Sequence, residues 1–309
     1  MNNKEQQFFT NKWNVVLFAV ICNVLWGSAF PAIKSGMQLF AINGSDTYTK
    51  ILFAGVRFFF AGLIILVVGS VRARRVLLPN KKTTGGLILL ALVQTTVQYI
   101  FFYIGLSNTT GTLGSILDST TSFWVVMLGP LFFASEKITA PKLLGCVLGF
   151  AGVVIAVGGN LNTGFSFLGE GFMLLAALSF SVGSLISKRV SQYCESATVA
   201  GYNLLLGAVL LIAIGLIGGG RFTQVSGTGI AVLAYLILLS SAAFTINTLL
   251  LQYNSAGKIC IYNFLIPVVG TLLSVLILKE QAFQFKFIGA LVLVCLGIYI
   301  VNKPTKTLE

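Results

Sequence analysis

The sequence has no histidine and only eight Asp and Glu residues, and charged side chains occupy 9% of its 309 positions. An average soluble domain carries roughly 25% charge, and a globular chain of this length needs that charge to cover its surface. A water-covered exterior is therefore excluded, and lipid is the solvent that such a composition fits. The missing histidine removes the side chain most used for acid–base catalysis and for holding metals. The five cysteines, Cys22, Cys146, Cys194, Cys260 and Cys295, are odd in number and scattered. They show neither the C-x-x-C spacing of a zinc site nor a disulfide framework, so no metal and no cofactor is expected.

What is present is apolar and basic: 56% hydrophobic residues and a net charge of +12. Binding a phosphate backbone needs a dense basic face. The one cluster here, Arg72, Arg74, Arg75, Lys81 and Lys82, lies between two apolar runs and reads as a cytoplasmic loop instead, so no nucleic-acid partner is expected. Residues 1–12 are polar, and the apolar run behind them is about 20 residues long, too long for a signal-peptide core, so it reads as a retained first membrane helix.

Apolar runs long enough, or nearly so, to cross ~30 Å of hydrocarbon fall near 13–33, 50–70, 85–106, 112–134, 141–159, 168–188, 197–218, 228–252, 258–278 and 286–302. Ten spans place both termini on one side. With that side cytoplasmic, the inner segments carry Lys4, Lys12, the Arg72–Lys82 cluster, Lys137, Lys142, Lys188, Arg189, Lys258, Lys303 and Lys306. The outer segments carry only Lys34, Lys50, Arg221, Lys279 and Lys286. This asymmetry predicts cytoplasmic termini in a cell (plasma or inner) membrane.

An internal repeat is also visible. Glu136, Lys142 and Gly145 recur as Glu280, Lys286 and Gly289, each displaced by 144 positions. A weaker pair aligns Trp26 to Lys34 with Phe180 to Lys188. The chain thus reads as two halves of five helices, 1–160 and 161–309, and an odd number of spans per half makes the repeats inverted. The fold expected is all-α and integral to the membrane, with ten helices around a central cavity, the plan from which many secondary transporters are built.

Three stretches carry a family resemblance: Leu25-Trp-Gly-Ser-Ala-Phe-Pro-Ala-Ile-Lys34, Val56-Arg57-Phe58, and Phe132-Phe-Ala-Ser-Glu136-Lys-Ile-Thr ahead of Gly145, with the theme repeated from Pro267 to Gly289. Over nearly its whole length the chain resembles the EamA-type permeases of the drug/metabolite transporter superfamily. The resemblance implies a ten-helix bundle working by alternating access, its cavity lined by parts of helices 1, 3, 4, 6, 8 and 9. Many members export amino acids or other metabolites. This sequence departs from the pattern at Ser122-Phe123, where a proline is common, and at Phe180, where a tryptophan is common. Substrate identity therefore does not carry over with the fold.

Asp118 leads the candidate residues, because a carboxylate in hydrocarbon costs roughly 2.5–3.5 kcal/mol near a helix centre and has to be paired, protonated or wet. It reads either as a proton-coupling or ammonium-binding group, sharing a face with Thr121 and Ser122, or as a helix-start residue reaching interfacial water. Gln94 and Gln98, with Tyr99 and Tyr103, form polar and aromatic stripes at i, i+4 spacing that read as cavity lining, with interhelical hydrogen bonding as the alternative. Asn23, Trp26, Asn247, Tyr262 and Asn263 are further lining candidates from other helices. Lys258 reads as a snorkelling anchor or a substrate contact, in the opposite half of the bilayer from Asp118. Arg57 reads as structural, and Glu136 as locally paired with Lys137. Gly145 and Gly149 form a G-x-x-x-G that lets helices approach closely.

ATP hydrolysis is excluded, since Gly257-Lys258-Ile259 lacks the Ser or Thr and the preceding glycine of a phosphate-binding loop. A membrane enzyme would need a catalytic cluster, and a channel would need repeated charged or carbonyl rings; neither pattern is present. The expectation is an exporter of amino acids or similar small metabolites, with a coupling proton or cation as a further partner. The alternative is a nucleotide-sugar or phosphate-ester exchanger, which should display several basic residues in its cavity.

Overall fold

The computed structural model describes residues 3–108, 117–157, 166–278 and 286–302, and among them there is no strand. A short amphipathic helix, α1 (Asn3–Thr10), precedes α2 (Lys12–Leu39), α3 (Thr47–Ala73) and α4 (Lys81–Ser107). These are followed by α5 (Thr121–Phe132), α6 (Ala140–Val157), α7 (Phe167–Val190), α8 (Ser196–Ile217) and α9 (Gly227–Tyr253). A short α10 (Ala256–Cys260), a 3₁₀ turn (Ile261–Phe264), α11 (Leu265–Leu278) and α12 (Lys286–Asn302) complete the order.

Among the described residues six helices, α2, α3, α4, α7, α8 and α9, are long and apolar enough to cross a membrane. The other four runs read from the sequence form shorter apolar helices, Thr121–Phe132, Ala140–Gly152, Ala256–Gly270 and Val292–Val301. The run 112–134 begins among residues outside those described, and the run 258–278 changes from α to 3₁₀ pitch at Ile261–Phe264 and returns to α at Leu265. In the opposite direction, α2 runs on past residue 33 to Leu39 with Pro31 inside it, so Lys34 sits on a helix and not in a loop. A proline in a membrane helix is tolerated where neighbours take over the freed backbone groups.

The helices pair in a regular pattern. α3 lies along α8, α6 lies along α12, α2 packs between α9 and α11, and α7 packs between α4 and α5. Their polarity is distributed as lipid demands. Leu17, Val67, Val68 and Val71 are exposed, whereas Thr95, Ser122, Ser181, Ser184 and Ser240 are fully buried. Without water in the bilayer, polar groups have to find partners inside the bundle. Ser122 donates to the Cys260 carbonyl at 2.6 Å and Ser181 to the Thr121 carbonyl at 3.1 Å, tying α5 to α10 and to α7.

Helix starts are closed by side chains that meet the free amides of the first turn. Asn11 caps α2, Asn80 and Thr83 form a reciprocal capping box on α4, and Ser226 caps α9. At α3, Asp46 accepts from the Thr49 amide at 2.9 Å and from its hydroxyl at 2.6 Å. Replacing Asp46 by Ala is expected to lower stability by about 1 kcal/mol, read as a lower midpoint of thermal unfolding in detergent.

Candidate functional site

A cavity opens among the helices. It is bordered by Trp26, Ala29, Phe30 and Ile33 of α2, Arg57 of α3, and Gln98, Tyr99 and Phe102 of α4. Asp118 and Thr121 at the head of α5, Phe180 of α7, Asn263 of the 3₁₀ turn and Ile266 of α11 complete the wall. The aromatic part is held as a packed set: Trp26 meets Phe180 and Phe244 edge-on at 5.7 Å each, and Tyr99 lies 4.4 Å from Phe58. Edge-to-face rings of this kind hold one another in place and keep the wall stiff.

Of the residues singled out from the sequence, the cavity brings together Trp26, Gln98, Tyr99, Asp118 and Asn263. Thr121 joins them, while Ser122 is spent on the Cys260 carbonyl. The others lie elsewhere. Gln94 does not border the cavity; its side-chain oxygen accepts from Asn203 at 2.8 Å and its amide donates to Ser184 at 3.3 Å. The reason is a π-helical stretch, Ala91–Val97, inside α4. A π turn holds an extra residue, so the even α-spacing that would stack Gln94 with Gln98 fails across it. Asn23 donates back to the Ala19 carbonyl at 2.7 Å. Tyr103, Asn247 and Tyr262 are buried but lie off the cavity wall, Tyr262 within an apolar cluster that includes Val126 and Leu265. Lys258 is exposed at α10, away from the cavity.

Arg57 reads from the sequence as structural, and the structure brings it to the cavity. It is 2% exposed and borders the cavity. Its Nε donates to Ser240 Oγ at 2.8 Å, and its guanidinium lies 4.7 Å from the centre of the Phe58 ring. The signal was available: an arginine alone in an otherwise apolar membrane helix is costly enough to mark a functional position.

A second polar cluster lies outside the cavity, in the segment between α5 and α6. The Glu136 carboxylate accepts from Lys142 Nζ at 2.9 Å and Lys188 Nζ at 2.8 Å. It also accepts from Ser255 Oγ and from the Ala256 amide, each at 2.6 Å. The local partner expected from the sequence, Lys137, is replaced by lysines 6 and 52 positions away, because folding carries α7 and the start of α10 to this carboxylate. Burial alone would raise the Glu136 pKa, but the hydrogen bonds from Lys188, Ser255 and Lys142 outweigh it and hold the carboxyl down at about 2. The repeat-related Glu280 lies outside the described residues.

Apolar helices of spanning length around an internal cavity that is aromatic on its walls and bordered by one arginine and one aspartate define a multi-pass membrane protein. The chain belongs to the EamA-like transporter family, whose model matches residues 13–158 and again 167–303. It is 29% identical over 297 residues to an uncharacterised transporter of Synechocystis, covering 90% of this chain and 87% of that one. It is 27% identical to a WAT1-related chloroplastic protein of Arabidopsis thaliana, covering 95% of this chain and 70% of that protein. A relative from Escherichia coli K12 named "probable amino-acid metabolite efflux pump" is 24% identical, covering 92% of this chain and 93% of its own. A solved crystal structure with 19% identity superposes with a TM-score of 0.77, covering 94% of this chain and 98% of that one, which shows a shared fold.

Proposed function

We propose that this protein is a secondary carrier that exports amino acids or similar small metabolites by alternating access, and that it is not an enzyme. The observation that carries this reading is the cavity itself, bordered by Arg57, Gln98 and Asp118 from the first half of the chain and by Phe180, Asn263 and Ile266 from the second. A site at the junction of two halves is opened to one side or the other when the halves rock. The halves 1–160 and 161–309 would be inverted five-helix repeats. In that arrangement the pairings α2 with α9 and α11 and α7 with α4 and α5 are one relation seen twice, and α3–α8 and α6–α12 lie on the pseudo-twofold axis. The doubled family match, over 13–158 and 167–303, supports the same division. The excess of Lys and Arg in alternate connections orients the termini to the cytoplasm of a cell membrane.

The efflux-pump name of the Escherichia coli relative supports amino-acid export. A nucleotide-sugar or phosphate-ester exchanger is the second reading, and the donor set speaks against it: among the described residues Arg57 is the one cationic residue on the cavity wall, which Asp118 also borders. In the carrier reading Asp118 binds the ammonium of the substrate or exchanges a coupling proton.

The test is ligand-dependent thermal stabilisation of purified protein across amino acids, amines, sugars and phosphate esters, repeated on Asp118→Asn. A ligand at about 100 times its Kd adds roughly 2.7 kcal/mol. Amino acids or amines should raise the melting temperature, and the Asn variant should lose the rise. A response confined to phosphate esters or nucleotide sugars would replace this reading with the second one.

A further inference from the structure

Two residues that border the cavity each carry a buried polar atom with no partner among the described residues, and the two atoms differ in what they need. Arg57 Nη1 is a donor without an acceptor, and Gln98 Oε1 is an acceptor without a donor. Both residues are at least nine-tenths buried and both border the cavity, as does the Asp118 carboxylate. Among the described residues, Arg57 makes no ion pair with any carboxylate, Asp118 included. Its Nε is fixed by Ser240 and its guanidinium face by Phe58, so the free nitrogen is held in one place and is not a swinging arm. Buried donors and acceptors are nearly always satisfied, and a charged one left open at a cavity wall is a place where a ligand completes the set.

We propose that Arg57 is a specificity-determining residue that receives a carboxylate, and that the substrate is a small zwitterion carrying an aromatic or other large apolar group. This rests on the carrier reading above and names the chemistry of its cargo. The carboxylate of the zwitterion meets Arg57 Nη1, its ammonium meets Asp118 and Gln98 Oε1, and its apolar group packs against Trp26, Tyr99 and Phe180. A single guanidinium matches the single charge of a carboxylate. A phosphate ester, with up to two charges and no cation, would leave Asp118 facing it unpaired and repelling it, so the same geometry discriminates against the dianion. A bare amine would leave Arg57 unsatisfied, and a bare carboxylate would leave Asp118 so.

The experiment compares phenylalanine, phenethylamine, which lacks the carboxylate, and 3-phenylpropionate, which lacks the ammonium, as ligands and as transported solutes of the purified protein in liposomes. Wild type should bind phenylalanine at least about tenfold more tightly than either truncated ligand, since a hydrogen bond to a charged group corresponds to roughly ten- to a hundredfold in affinity. Arg57→Gln should lose phenylalanine by that factor while keeping phenethylamine within about twofold, and Asp118→Asn should lose phenylalanine and keep 3-phenylpropionate. Arg57→Lys, which keeps the charge and loses the fork, should fall between, and it serves if the Gln variant does not fold. Phenylalanine binding unchanged in Arg57→Gln, or a wild type that ranks phenethylamine with phenylalanine, would overturn the proposal and return Arg57 to a packing role. Transport of other solutes with no response to zwitterions would overturn it while leaving the carrier reading standing. A wild type that moves no solute at all would remove both.

Discussion

Replacing Glu136 by Gln is expected to cost about 3–5 kcal/mol of stability, because it removes the counter-charge of a buried cluster and keeps its shape. Glu136 is 4% exposed and Lys188 7% exposed, and both Lys188 and Lys142 point their ammonium groups at this carboxylate. Neutralising the acid leaves two lysines with little water and no counter-charge, and it weakens the cap on the Ala256 amide. Thermal unfolding in detergent micelles reads the loss, and combining Glu136→Gln with Lys188→Met and Lys142→Met should recover part of it. A loss below about 1 kcal/mol would place the cluster with ordinary surface pairs. The pH dependence follows from the sign of the shift. The Glu136 carboxyl is held at about 2 against an ordinary 4.5, so its contribution is complete above pH 4.5 and is lost as pH falls toward 2. The gap between wild type and Glu136→Gln should therefore stay constant from neutral pH down to about 5 and close below that.

The second large effect is expected on the face of α6 that packs against α12 and the 3₁₀ turn. A Cβ placed on Gly149 would lie 2.6 Å from Cε2 and 2.7 Å from Cγ of the buried Phe264 ring, and one on Gly145 would lie 2.8 Å from the Gly297 carbonyl. Gly149→Leu should destabilise by about 1–3 kcal/mol or more through overpacking. In a helix with room the sign reverses, since replacing Gly by Ala commonly adds about 0.4–1 kcal/mol. Among the described residues nothing lies within 4 Å of a Cβ added to Gly289 on α12, so Gly289→Leu is the matched control and should be neutral or stabilising. Equal losses at both positions would show that helix propensity and not steric contact sets the cost.

The G-x-x-x-G of Gly145 and Gly149 was legible because spacing alone puts both glycines on one face of a helix, and α12 fills that face at Gly145 while Phe264 of the 3₁₀ turn fills it at Gly149. Trp26, Tyr99, Gln98, Asp118 and Asn263 were legible as residues that hydrocarbon does not tolerate without a reason, and the cavity gathers them. Gln94 has the same chemistry as Gln98 and a different fate, because the π turn at Ala91–Val97 breaks the register between them and Asn203 and Ser184 satisfy Gln94 first. Lys50 tells a similar story. It counted as a loop charge, yet it is buried and donates to Ser107 Oγ at 2.7 Å and to the Gly44 carbonyl.

Composition and periodicity by themselves determined the solvent and the helical class, because both depend only on which residues are present and how they alternate along a helix. Motif order determined the family, which the whole-chain match bears out. Only the tertiary structure decided which polar residues look into the cavity and which are consumed between helices. That choice depends on the rotation of each helix about its axis and on what neighbour arrives from far along the chain. Glu136 finds Lys188 and Ser255, while Arg57 finds Ser240 with one nitrogen and is left with another facing no protein acceptor. Pairings across 52, 119 and 183 positions carry no local signature in the sequence, so packing alone settles them.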